Sequence, residues 1–253
     1  MHVLFVLFKM ENFQKFEGID YVNNFAMTNN SIHQLVAKNL IGIIISDNLN
    51  IIDIGGGPGL VAKIIDKIGK SVKVINIEPS NNIEKIPDLN NIEYSTLKLS
   101  FKDALEYQFP WKADLFLMIS AAHEISLSNG MSSNENKEIF FKDIKDFIKS
   151  HSKPNALIII GFPNYKTGMT EKEIIRQREF VDSLTGHSHS PEEFFTINEF
   201  SSAFSAEPIL FEQAPMVLTG QPIDETILNA NFAVFKISEI QDEKKSKILF
   251  DSP

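Results

Sequence analysis

Asp53 is followed by Gly55, Gly56, Gly57 and Gly59 in "NIIDIGGGPGLVAK", and Glu78 closes a second apolar run, "VINIEPS", 21 residues beyond Gly57. Glycine tolerates positive φ and lets other atoms come close to the main chain. Set between the end of a strand and the start of a helix, such a loop opens a crevice for a ligand at the carboxyl edge of a sheet. Pro58 suits the first turn of that helix. A carboxylate ending the next strand can accept both hydroxyls of an adenosine ribose, each charge-assisted bond being worth about 1.5–3 kcal/mol. The spacing narrows the ligand further. A dinucleotide fingerprint needs G-x-G-x-x-G, but the sixth position is Leu60 counted from Gly55 and Ala62 counted from Gly57. The Gly-Lys-Ser/Thr ending of a phosphate loop is also missing.

Three histidines offer further chemistry. His123, in "MISAAHEI", follows an apolar run at what reads as a strand's carboxyl end. Imidazole titrates near neutrality, so His123 is the candidate general base, with packing beside a ligand as the plainer use. His187 and His189, in "TGHSHSPEE", stand one residue apart and could ligate a metal. No third ligand is indicated nearby, so no metal is expected, and the segment reads as a polar loop at a substrate mouth. Phe180, Phe194, Phe195, Phe200 and Phe204 fit a pocket lining or a core equally well. Tyr21 is a substrate-side candidate by position, and Arg176 and Arg178 could pair with an acidic substrate or simply face water.

The elements that must position these residues alternate. Short β-branched runs at 50–54, 71–78, 91–99, 114–120 and 156–162 read as strands, with helical patterns at 58–69, 100–107, 121–128 and 136–149 between them. Near-continuous Ile/Val/Leu strands are buried on both faces, which predicts a parallel sheet covered by helices. Before them, 31–45 has helical spacing at Ile32, Leu35, Val36, Leu40 and Ile43, with Ser31 as N-cap. After Tyr165 come a polar helical stretch (166–184) and a short helix start followed by another helix (190–205). Two last strands, 208–220 and 230–237, are joined too closely for a helical crossover and must pair antiparallel. The expected organisation is a helical section or lid over 1–47, a ligand-binding core over 48–165, a cap over 166–205, a hairpin over 206–240 and a charged tail over 241–253.

Composition sets the outer bounds. With 253 residues, 43% hydrophobic and 23% charged, the chain has an ordinary globular balance. A net charge of -9 without a basic patch argues against a nucleic-acid partner. The absence of cysteine removes disulfides and thiol chemistry and fits a reducing compartment. No run approaches the roughly 18 apolar residues of a membrane span, and "MHVLFVLFKM" lacks a basic leader and a cleavage site. A cytoplasmic protein with no membrane partner is expected, alone or as a homodimer.

"IIDIGGGPG" followed by "INIEPS" resembles the class I S-adenosylmethionine-dependent methyltransferases over roughly residues 30–165 and the final hairpin. The resemblance implies a Rossmann-like doubly wound α/β sheet of seven strands, in the order 3-2-1-4-5-7-6 with strand 7 antiparallel. It implies S-adenosyl-L-methionine as cofactor and a small-molecule methyl acceptor. Gly55, Gly56, Gly57 and Gly59 would pass beside the cofactor, Asp53 would hold the loop or, through water, the ammonium group, and Glu78 with Pro79 would take the ribose. Ser100 and Phe101 would fall at the adenine, and Ser120 and His123 next to the methyl group. The acceptor atom is expected to be oxygen, hydroxyl or carboxylate, because "ISAAHE" replaces the amine-type (D/N)PP(Y/F) motif and basic charge is low. A nicotinamide-dependent oxidoreductase, a non-catalytic module that binds the same cofactor, and another reaction of the same donor stay open.

Overall fold

A computed structural model describes residues 30–80, 89–127, 133–185, 189–217 and 226–240. Tyr21 and His187 lie outside these residues. The chain runs α1 (Asn30–Ile43), β1 (Asn50–Ile54), α2 (Leu60–Ile68), β2 (Val72–Ile77), β3 (Ile92–Leu97), α3 (Phe101–Ala104), β4 (Ala113–Ile119), α4 (Ala122–Leu127), α5 (Ser133–His151) and β5 (Ser152–Tyr165). It continues through α6 (Glu171–Thr185), a 3-10 turn (Pro191–Glu193), α7 (Ile197–Phe204), β6 (Leu210–Pro215), β7 (Leu228–Lys236) and a second 3-10 turn (Ile237–Glu239).

The strands form one sheet in the order β3-β2-β1-β4-β5-β7-β6. β1 to β5 pair in parallel, and β7 runs antiparallel to both β5 and β6. The order reverses between β1 and β4, where the crevice of a doubly wound sheet opens. Both faces are covered, so the inner strands are buried almost without interruption. Alternate residues feed two cores. Ile52, Ile54, Phe116, Met118, Ile158 and Ile160 meet α5 and α7, whereas Ile51, Leu115, Leu117 and Ile159 meet α1 and α2. Edge strand β6 alternates half-buried and exposed residues instead. In α1, Ile32, Val36 and Leu40 are fully buried, one per turn on the sheet-facing side.

Two boundaries differ from expectation for local reasons. β5 runs well beyond 156–162, because α5 passes into it without a loop and β7 pairs with it as far as Tyr165↔Leu228. β6 stops at Pro215, which cannot donate to a ladder. The phenylalanines divide. Phe195, Phe200 and Phe204 belong to the core with Phe140, Phe162 and Phe235, while Phe180 is half-buried against the opposite cluster. Phe200 packs 5.4 Å from Phe141 and 5.1 Å from Phe162, measured between ring centroids. Phe200→Ala should therefore destabilise the fold by about 3–5 kcal/mol in urea unfolding; a loss below about 1 kcal/mol would place the ring outside the core.

Candidate functional site

The turn after β1 needs its glycines. Gly55, Gly57 and Gly59 have φ of 68°, 52° and 77°, a region that side chains disfavour. Gly56 is required for a different reason. A β-carbon there would collide with the Asp53 carboxylate and stand 2.6 Å from Asn76 Oδ1. Asp53 and Asn76 are register partners on β1 and β2, on the face where period-two alternation otherwise supplies Ile51 and Val74. Both are fully buried. Asn76 satisfies the loop: its Oδ1 accepts from Gly56 N at 3.0 Å, and its Nδ2 donates to Gly57 O at 3.0 Å and to Tyr94 Oη at 2.8 Å. Burial raises the Tyr94 phenol to about 12.

Asp53 is left over. Neither of its carboxylate oxygens has a hydrogen-bond partner among the described residues. Burial, reinforced by the nearby Glu78 charge, pushes its pKa up to about 7. A buried carboxylate without a partner keeps its proton to a higher pH because ionising it there costs several kcal/mol. A cation placed above Gly56 would reverse that balance.

Glu78, at the end of β2, is also mostly buried, with 9% of its surface exposed. Oε2 accepts from Gly57 N at 3.0 Å, and Oε1 accepts from Ser80 Oγ at 2.7 Å and Ser80 N at 3.1 Å. The carboxylate is thus held beside the glycine loop. Pro79 is half-buried next to it.

A second group gathers after β4. Ser120 is buried with φ of 59°, a left-handed conformation uncommon for a side-chain-bearing residue. Gly55 lies close to the same turn, since a β-carbon on it would stand 2.6 Å from Ala121 Cβ. α4 then presents His123 and Glu124. His189, from the segment before the first 3-10 turn, meets them: its Nε2 is 3.0 Å from Glu124 Oε1, and His123 Nε2 is 3.5 Å from the same oxygen. Glu193 Oε2 lies 3.1 Å from His189 Nδ1 and accepts from Ser190 N at 2.9 Å. Burial works against charge on His189, but hydrogen bonds to Glu124 and Glu193 outweigh it and hold the imidazole up at about 9. The Phe194 ring packs on His123, His189 and Tyr165. Lys137 fixes that phenylalanine by donating to its carbonyl at 2.5 Å and to Glu199 Oε1 at 2.8 Å.

The sequence-derived residues fall as follows. Asp53, the four glycines and Glu78 converge on one loop, and Ser120 and His123 belong to the turn after β4 and to α4, whose neighbour Ala121 stands next to Gly55. Ser100 caps α3, accepting from Asp103 N at 3.1 Å. Phe101 is taken up by the core, 5.3 Å from Phe147. His189 joins His123, whereas Arg176 and Arg178 are exposed on α6. Asn76, Tyr94, Glu124 and Glu193 were not expected at the site. An asparagine interrupting "VINI" was the available signal for the first.

No protein-family model matches the sequence, and no curated protein is similar to it by sequence. Solved structures are similar in fold. An S-adenosylmethionine-dependent methyltransferase from Geobacter sulfurreducens, in complex with S-adenosyl-L-homocysteine, is 12% identical with a TM-score of 0.52 over 84% of this chain and 96% of that one. A corresponding complex from Thiobacillus denitrificans is 12% identical with a TM-score of 0.51 over 83% and 96%. A cyclopropane synthase from Mycobacterium tuberculosis is 13% identical with a TM-score of 0.54 over 79% and 83%. The protein has the Rossmann-like fold of class I methyltransferases, with the strand order that the resemblance implied.

Asp53 also makes a thermodynamic prediction. Its carboxyl releases a proton near 3.8 when unfolded and near 7 when folded. Because the folded value is the higher one, the folded state binds more protons between them. Stability must therefore fall as pH rises from about 4 to about 7, by up to about 1.4 kcal/mol per pH unit from this one group. Asp53→Asn removes that slope, so its stability relative to wild type should improve across the window in urea unfolding. Parallel curves would contradict a buried, unpartnered carboxylate.

Proposed function

We propose that the protein transfers a methyl group from S-adenosyl-L-methionine to an oxygen of a small organic acceptor. The observation that carries this reading is the buried Asp53 carboxylate, without a partner among the described residues, packed directly against Gly56 of the glycine loop. It is a site prepared for a cation that no described residue supplies, and the donor's ammonium group fits it. The fold of the structural neighbours supports the same ligand class.

When bound, the donor supplies an electrophilic methyl group on a positively charged sulfur. Asp53 would hold its ammonium, directly or through water, and become ionised in doing so. Glu78 would turn from Ser80 to the ribose hydroxyls while keeping the Gly57 amide. The backbone from Gly55 to Gly59 would admit the donor to the crevice, with Pro79 and Ser100 at its adenosine side and Ser120 at its methyl end. What remains is orientation: an acceptor oxygen held about 3–3.5 Å from the methyl carbon, in line with sulfur, accounts for much of such a rate.

The acceptor side falls to His123, Glu124 and His189 at the carboxyl ends of β4 and β5. A hydroxyl acceptor must lose a proton on reaction, whereas a carboxylate need not. Phe194 and Tyr165 wall this group on its apolar side and exclude water from a reactive sulfonium. Oxygen is favoured over amine nitrogen because "ISAAHE" follows β4 where amine-type enzymes carry (D/N)PP(Y/F), and the net charge of -9 does not suit a polyanionic acceptor.

S-adenosyl-L-homocysteine should raise the melting temperature and NAD should not; stabilisation by NAD alone would overturn the reading. Glu78→Ala should weaken S-adenosyl-L-homocysteine binding by about 2–4 kcal/mol in calorimetry, less than the full value of two charge-assisted hydrogen bonds because Glu78 gives up its Ser80 bonds to make them. Unchanged affinity would remove Glu78 from the ribose.

A further inference from the structure

The spacing of His187 and His189 alone gave no third metal ligand, but the fold supplies two partners for His189 from 65 residues away or more. We propose that His123, Glu124 and His189 form a binding site for one divalent transition-metal ion. The donor atoms of the three residues all lie within 4.8 Å of one another. His189 Nε2 and His123 Nε2 stand 3.0 Å and 3.5 Å from Glu124 Oε1. Ligands at about 2.0–2.2 Å from a metal are roughly 3–3.6 Å apart, so only a small closing of the two imidazoles is required. Two imidazoles and one carboxylate are borderline donors suited to zinc, iron(II), cobalt(II) or manganese(II) rather than to calcium or magnesium.

An independent feature supports the assignment. A metal-bound imidazole usually donates its other N–H to a carboxylate that fixes ring and tautomer. His189 has that carboxylate: Glu193 Oε2 is 3.1 Å from Nδ1, leaving Nε2 directed at Glu124. Glu193 is itself fixed by Ser190 N at 2.9 Å, and the backbone of His189 accepts from Tyr165 Oη at 3.2 Å. The His123 and His189 rings meet edge to face at 4.7 Å with Phe194 against both, so neither imidazole is a loose surface group. Glu124 keeps 35% of its side chain exposed, which gives an ion a path in.

Three protein donors leave coordination positions open, as catalytic rather than structural sites do. An acceptor hydroxyl bound there would lose its proton more readily, the metal acting as Lewis acid. That role rests on the proposed function; the binding of the ion does not. It replaces the simple-base role for His123, whose Nε2 would be a ligand.

The test is a Co2+ titration of the full chain, made without a histidine tag, stripped with chelator and followed by calorimetry and visible absorption. One equivalent should bind with micromolar affinity or better, develop d–d bands and be displaced by Zn2+. His189→Ala should weaken binding at least about 100-fold, and Glu193→Gln, which removes only the orienting carboxylate, about 10- to 100-fold. Glu124→Gln keeps the side-chain shape, so its expected loss of at least 100-fold holds even if His189→Ala folds poorly. Absence of a one-equivalent site, or variants that bind as wild type does, would leave an ion-paired cluster and overturn the proposal. S-adenosyl-L-homocysteine titrated into the same stripped protein reports the donor site separately. A protein that binds that compound but fails to bind Co2+ would overturn the metal site alone, and one that binds Co2+ but not the compound would overturn the donor reading alone.

Discussion

A carboxylate buried without a partner among the described residues is the constraint around which the crevice is arranged. Asp53 sits on a central strand in the parallel part of the sheet, level with apolar Leu117 on β4 and with one polar neighbour on β2. That neighbour, Asn76, spends its amide on the loop backbone and Tyr94. Asp53 is therefore not needed to hold the turn. Gly56 cannot carry a side chain without striking the carboxylate, and three left-handed glycines bend the chain past it. Natural cores rarely retain such a group without use, because an unsatisfied buried polar atom costs about 1–3 kcal/mol.

The second constraint is topological. The glycine loop follows β1 and the histidine group follows β4, the two strands that flank the reversal of strand order. Ala121 and Gly55 bring these turns into contact. The segment between β5 and β6 then contributes His189, Glu193 and Phe194 from above. Its α7 end is anchored by Phe195, Phe200 and Phe204 in the core and by Lys137. Aromatic packing of α7 in the core thus anchors the segment that carries His189.

Much of this was legible because it is local. Buried strands declare themselves by continuous β-branched runs, the glycine loop by its composition, and Glu78 by its distance from Gly57. The close pairing of β6 and β7 followed from the shortness of their connection. What was not legible depends on tertiary contact. "HEI" and "HSHSPEE" carry no mark that Glu124 and His189 meet, since 65 residues separate them. Helical spacing could not tell whether Phe195, Phe200 and Phe204 line a pocket or fill a core, because both uses bury one face. The resemblance implies an adenine-side place for Phe101, and the sequence does not show that Phe147 from α5 packs against the same ring. Asn76 hid inside an apolar strand because its partners, the Gly56 and Gly57 backbone and the Tyr94 hydroxyl, lie in other segments.

The most direct measurement is a crystal structure of the complex with S-adenosyl-L-homocysteine. The account predicts its ammonium within hydrogen-bonding reach of Asp53, directly or across one water, and its ribose hydroxyls on Glu78. A bound molecule whose ammonium is met elsewhere, with Asp53 still unpartnered, would contradict it.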